Sequence, residues 1–206
     1  GADNIDISGN TAIVYGGEDG DNIEVLTATA GGTSIIGGQG DDIIAVETTN
    51  ANSFYVEGNQ GEDNITGGAG DDVIYGGQDS DLIDGGDGDN FLAGNVGEDD
   101  ITGGAGADTI YGGQDNDTIV TGDGENVVYG GEGDDSITGG ADNDYIEGNA
   151  GEDNITGGTG DDVIYGGQDT DVIDGEGGAD TIIGGAGGDS LTGGAGDADY
   201  FGYTAA

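Results

Sequence analysis

The stretch GGAGDDVIYGGQDSDLID (67–84) is two nine-residue units end to end. Each unit opens on Gly-Gly, carries aspartate at its sixth place (Asp72, Asp81) and isoleucine at its eighth (Ile74, Ile83). From Gly58 such units run sixteen times without a break to Phe201, from GNQGEDNIT to GGAGDADYF. Position 6 is Asp in thirteen of them and Asn in two, Asn90 and Asn126; the last unit has Ala198 there and Asp199 one place on, which reads as a one-residue slip. Position 8 is Ile, Leu or Val in all but that last unit. A 36-residue block overlies this period, since the pattern of 58–84 returns at 94–120 and at 148–174. So strict a repeat predicts a solenoid, in which each coil packs only on its neighbours.

Composition alone points the other way. The 206 residues include 52 glycines and 45 acidic residues but no Lys, Arg or His, for a formal charge of −45. Little apolar surface and strong self-repulsion are the mark of disorder. A disordered tail has no reason to keep sixteen units in register, so the repeat decides for a fold, provided something neutralises the charge. With no basic residue there is nothing to hold a phosphate, which excludes nucleic acid and anionic membrane surfaces as partners. No cysteine is present to make a disulfide or a thiolate site. No apolar run reaches the length of a membrane span, and no signal peptide is seen. The chain contains no methionine, so it is expected to be a mature product or an excised piece. Catalysis is not expected either. Without His, Cys, Lys or Arg there is no triad, arginine clamp or Schiff base, and no unit stands apart as a unique carboxylate pair.

Glycine, and Asp at position 4 (Asp79, Asp115, Asp142, Asp169), tolerate left-handed backbone, so the first six residues of a unit read as a tight loop. The last three, such as Val73-Ile74-Tyr75, read as a short strand with its middle side chain turned opposite to its neighbours. Two units then form an 18-residue coil, and stacked coils give an all-β solenoid of two parallel sheets with the position-8 aliphatics facing each other inside. The N-terminal part varies on this. GGEDGDNIE (16–24) and GGQGDDIIA (37–45) keep the unit, but each precedes twelve residues without an acidic glycine loop, 25–36 and 46–57. Residues 7–15 resemble a shorter form of that stretch. The expected division is therefore variant coils over 1–57 with acidic loops mainly on one side, regular coils over 58–201, and a tail at 202–206.

The units resemble the G-G-x-G-x-D-x-U-x nonapeptide of the repeats-in-toxin (RTX) family, the haemolysin-type calcium-binding repeats. The resemblance covers 58–201 closely and about half the units of 16–57. It implies a right-handed parallel β-roll with calcium held between the loops of successive coils, bound by the position-6 side chain with help from loop carbonyls. Carried onto this chain, the implied metal ligands are Asp21, Asp42, Asp63, Asp81, Asp99, Asp117, Asp135, Asp153, Asp171 and Asp189 on one side. On the other side they are Asp72, Asn90, Asp108, Asn126, Asp144, Asp162, Asp180 and Asp199. Weaker sites are expected at the uncharged Asn90 and Asn126. The donor chemistry agrees, because carboxylates and carbonyls are hard oxygen ligands, and calcium accepts six to eight of them in flexible geometry where magnesium does not. Roughly sixteen ions would offset most of the charge. Position-5 acids such as Asp71, Glu62 and Glu152 read as mainly solvated, with a supporting place behind the ion's own ligands as the alternative. The resemblance also implies export of an unfolded chain by a type I secretion system, with folding in extracellular calcium.

The two outward faces differ. One presents polar pairs such as Asn64/Thr66 and Ser136/Thr138. The other presents an apolar strip that includes Tyr75, Phe91, Tyr111, Tyr129, Tyr145 and Tyr165. This strip, or the chain ends, is the expected surface of self-association, with polysaccharide as a further candidate partner. Two functions follow from this reading. One is a calcium-binding extracellular structural protein, a filament, surface-layer or matrix component. The other is the repeat region of a type I secreted toxin, enzyme or adhesin. Ice binding through the Thr66, Thr102, Thr138, Thr156 and Thr192 column is disfavoured because Asp84, Val120 and Asp174 interrupt it. Asn64, Asn116 and Asn154 begin N-x-T sequons, which chance explains in so Asn- and Thr-rich a repeat.

Overall fold

The structure is a computed structural model that describes residues 1–8, 13–27, 32–47, 49–196 and 198–202. Its described residues form 22 β-strands, the first Asn4–Ser8 and the last Tyr200–Gly202, with no helix. Successive strands alternate between two 11-stranded sheets, odd-numbered strands in one and even-numbered strands in the other. Every described pairing is parallel, so the chain winds forward as a β-solenoid. Parts of the 7–15 and 25–36 stretches, residues 9–12 and 28–31, and the expected C-terminal tail apart from Gly202 lie outside the described residues.

Register follows the repeat. Ile65 pairs with Ile83 and Ile101 with Ile119, one 18-residue coil apart. From Ile13 to Thr66 the offset is 21, as in Asn22 with Ile43 and Thr33 with Phe54, because each coil there joins a nine-residue unit to one of the twelve-residue stretches, whereas Asn4 pairs with Asn22 at 18. At the other end Thr181 pairs with Tyr200, 19 residues on, which is the slip foreseen at Asp199.

The core is two facing rows of aliphatic side chains, at position 8 in the units and at Ile35 and Val56 in the twelve-residue stretches. Ile23, Ile44, Ile65, Ile83, Ile101 and Ile119 in the first sheet are fully buried, as are Ile35, Val56, Ile74, Leu92, Ile110 and Val128 in the second. Each such side chain contributes about 1.5–3 kcal/mol by leaving water. In the variant coils Val25, Val46 and Phe54 are buried as well, so apolar side chains fill the side where acidic loops are missing.

The strands are longer than the sequence suggests. Most span six residues, as in Val73–Gln78, and run through the Gly-Gly of the next unit. The pairing joins Phe91–Ala93 to Thr109–Tyr111 and Asn95–Val96 to Gly113–Gln114, skipping only the position-1 glycines Gly94 and Gly112. Glycine has no side chain to mark the period of a strand, which is why these residues read as loop. The true loop is the three residues at positions 4–6. There Asp79, Asp115, Asp142 and Asp169 adopt φ of 69–75°, the left-handed conformation expected of them. Position 2 is left-handed too, and Asn59, Asn95 and Asn149 hold it with φ of 80–84° where glycine is absent.

Candidate metal centre

Each loop ends on its position-6 residue, whose side chain turns inward beneath the neighbouring coil. Asp21, Asp42, Asp63, Asp72, Asp81, Asp99, Asp108, Asp117, Asp135, Asp144, Asp153, Asp162, Asp171 and Asp180 are all buried, at most 3% exposed. Asp189 and Asp199, under the last coil, are half-buried.

The backbone pins these residues into two ladders. Oδ1 of each accepts the backbone N–H of its counterpart one coil earlier, as Asp81 Oδ1 does from Asp63 at 2.8 Å and Asp99 Oδ1 from Asp81 at 2.8 Å. The backbone carbonyl of Asp63 accepts from Leu82 N and that of Asp81 from Asp100 N, both at 2.8 Å. One ladder runs from Asp21, which accepts from Asp3 N, to Asp189. The other starts at Asp72, which accepts from Phe54 N, and ends at Asp199, which accepts from Asp180 N. Asn90 and Asn126 take their turns in the second ladder through Oδ1.

The second oxygen has no such partner. Oδ2 of all fourteen buried aspartates is sealed from solvent and accepts no hydrogen bond. Leaving a buried acceptor unmet costs about 1–3 kcal/mol, and more when it is charged. Each Oδ2 lies against the position-1 glycine of its own unit and the corresponding carbonyl of the next coil. A Cβ built on Gly67 would stand 2.7 Å from Asp72 Oδ2 and 2.5 Å from the Gly85 carbonyl oxygen. Gly16 repeats this with Asp21 Oδ2 and the Gly37 carbonyl, both at 2.5 Å. Glycine at position 1 thus keeps open a space bordered by a carboxylate oxygen and a carbonyl oxygen.

Burial makes these carboxyls hard to ionise. It pushes Asp81 and Asp117 up to about 8, against the help of the amide on Oδ1 and with the repulsion of neighbouring aspartates added. Asp63, Asp72, Asp144 and Asp153 rise to about 7 by the same burial. Asp99, Asp108, Asp135, Asp162 and Asp171 rise to about 6. A cation beside these carboxyls would favour their ionised form and oppose the rise.

The family model for the RTX calcium-binding nonapeptide repeat (4 copies) matches residues 57–92, 84–119, 93–128, 120–154, 147–182 and 174–197. The chain belongs to this family. Among curated proteins none matches it. The RTX repeats are calcium-binding, and the residues present fit the ion. The orphaned Oδ2 atoms and the carbonyls across the position-1 gap are hard oxygen donors, which calcium prefers. Among the described residues no group of three or more acidic side chains is placed to hold a metal ion together. Calcium supplies the positive charge that the chain lacks.

Two features of the loops were not foreseen. Position-5 aspartates form an outer ladder of opposite sense: Asp71 Oδ1 accepts from Asp89 N at 3.0 Å and Asp89 Oδ1 from Ala107 N at 2.9 Å. Asp134 and Asp161 do the same for Glu152 N and Ala179 N. The short Asp side chain at this place therefore caps the next loop, and is exposed without being merely solvated. Nor do Asn90 and Asn126 differ from the aspartates only in charge. Their Nδ2 groups donate to Gly88 O at 3.1 Å and Gly124 O at 2.8 Å, the position-4 carbonyls of their own loops. Both pairings were hidden in the sequence, which gives a residue's type but not the direction of its terminal group.

Proposed function

We propose that the chain is a calcium-folded extracellular structural element, a component of a filament, surface layer or matrix, that associates with further copies through the outer face of its second sheet. The observation that carries this reading is an unbroken row of seven aromatic rings. Tyr55, Tyr75, Phe91, Tyr111, Tyr129, Tyr145 and Tyr165 follow one another with centroids 4.9–6.2 Å apart, and Tyr111 and Tyr129 are stacked at 13°. The rings half-bury one another, so they form a stiff apolar ridge at little further entropic cost, the kind of surface that packs on a like ridge. Tyr55 and Tyr145 donate their hydroxyls to Glu57 and Glu147, which lie in the same strip. RTX repeats typically occur in secreted proteins, which is consistent with placement outside the cell, where calcium suffices to fold the chain. The buried position-6 acids each hold a neighbouring coil's amide through Oδ1, which supports a structural rather than a catalytic role for them.

A second reading has its own support. The sealed carboxylates make the fold conditional on calcium, which suits the repeat region of a secreted toxin, enzyme or adhesin that must leave the cell unfolded and fold outside. Negative-stain electron microscopy in millimolar calcium, with a chelator control and a Tyr111→Ser/Tyr129→Ser variant, separates the two. Calcium-dependent fibres or sheets that the variant fails to form support the structural reading. Single short rods from both proteins overturn it in favour of the second.

A further inference from the structure

Fourteen rungs of the two ladders present an unpaired Oδ2 to the position-1 gap. Asn90 and Asn126 present an amide instead. Asn90 Oδ1 accepts from Asp72 N at 2.9 Å while its Nδ2 donates to Gly88 O at 3.1 Å. Asn126 Oδ1 accepts from Asp108 N at 2.9 Å while its Nδ2 donates to Gly124 O at 2.8 Å. Turning either amide round would set NH₂ against a backbone N–H and oxygen against a carbonyl, so two bonds fix each orientation. The group facing the gap is then a donor, which repels a cation and already satisfies the position-4 carbonyl. At Gly85 the gap keeps its usual form, with a built Cβ 2.9 Å from Asn90 Nδ2 and 2.6 Å from the Gly103 carbonyl oxygen.

An independent change falls on the second of these rungs. The unit that contains Asn126 carries Thr121 at position 1, where the other fifteen units carry glycine. Thr121 is fully buried, and its hydroxyl has no hydrogen-bond partner. Its side chain grows from the backbone position where a Cβ on the neighbouring glycines would enter the cation gap. One loop has thus lost both the carboxylate that would attract an ion and the room to hold it.

We propose that the rungs at Asn90 and Asn126 are calcium-free, each locked by its own side-chain amide, and that Thr121 seals the second. The inference rests on the calcium reading of the repeat and deepens it. The two sides of the solenoid then bind calcium differently. The ladder from Asp21 to Asp189 is unbroken, whereas the ladder from Asp72 to Asp199 alternates charged and neutral rungs through Asp72, Asn90, Asp108, Asn126 and Asp144. In the folded chain each neutral rung ties its own loop through the Asn amide, where a charged rung leaves an oxygen open to an ion.

The test counts bound calcium by native mass spectrometry in the wild-type chain, Asn90→Asp, Asn126→Asp and Thr121→Gly/Asn126→Asp. Asn90→Asp is expected to gain at least one ion, Asn126→Asp alone none, and the double variant at least one. A wild-type count in folded Asn90→Asp, or an equal gain in Asn126→Asp with and without Thr121→Gly, would overturn the proposal. If the variants do not fold, side-chain amide exchange in the calcium-loaded wild type decides. The NH₂ protons of Asn90 and Asn126 are expected to exchange at least tenfold more slowly than those of the exposed Asn64 and Asn154. Equal rates would overturn the inference. A wild-type chain that takes up no calcium would instead sink the calcium reading itself, and this inference with it.

Discussion

The position-6 residue carries two tasks on two oxygens. Oδ1 closes the ladder and Oδ2 waits for a cation, so changing Asp to Asn separates the tasks. Asp81→Asn keeps the Oδ1 that accepts from Asp63 N and supplies an Nδ2 donor for the loop's own carbonyl, as Asn90 does. We expect this variant to bind less calcium than wild type but to be more resistant to urea once metal is stripped, because a carboxyl that burial pushes up to about 8 has gone. Circular dichroism in the two conditions checks both signs. Position 2 gives a second prediction. Gly77 has φ of 138°, and a methyl there would run into the Asn59 carbonyl of the previous coil. Gly77→Ala should therefore cost about 2–3 kcal/mol in saturating calcium, read from urea unfolding. What was legible at this scale was residue type at a fixed place. The left-handed aspartates at position 4 and the substitution of Asp199 for Ala198 could both be read from spacing. The direction of the Asn90 amide and the hidden Thr121 hydroxyl could not, because both depend on which atoms of an adjacent coil lie within 3 Å or so.

Along the first ladder some aspartates are coupled to neighbours one coil away, as Asp81 is to Asp63 and Asp99 and Asp117 to Asp99 and Asp135. Burial raises the folded pKa values of eleven of the ladder aspartates from 3.8 to about 6–8. For a carboxyl raised on folding, the protonated form is the one that the fold favours. Its contribution to stability is present below the unfolded value near 3.8 and is lost as pH rises through the folded values of about 6–8. The metal-stripped chain should therefore gain β-structure as pH falls from 8 towards 5. Calcium should bind more weakly over the same interval, because protons compete for Oδ2. A pH series of far-UV circular dichroism with and without calcium measures both. The strands themselves were only half legible. Position 8 fixed their buried row, and the nine- and twelve-residue spacings fixed the 18- and 21-residue registers. Gly-Gly hid their second half, because a residue without a side chain has no burial pattern to read.

For the whole molecule the numbers leave little choice. A chain of −45 with no basic residue places fourteen sealed carboxylates in two rows, and bound cations would offset that charge. The apolar core is two narrow rows of aliphatic side chains, with no reserve to hold such charge together unaided. Tyr111→Ala, which removes the ring between Phe91 and Tyr129, should lower stability by about 1–3 kcal/mol in calcium and weaken association between copies more than it weakens the fold, measured by sedimentation against circular dichroism. The central claim is that folding and calcium binding are one event. The most direct measurement is a calcium titration of the metal-stripped chain at pH 7.5, followed together by far-UV circular dichroism and hydrodynamic radius. An expanded coil that contracts into β-structure in step with calcium uptake is the result predicted. Full β-structure and a compact radius in chelator, unchanged by calcium, would contradict it.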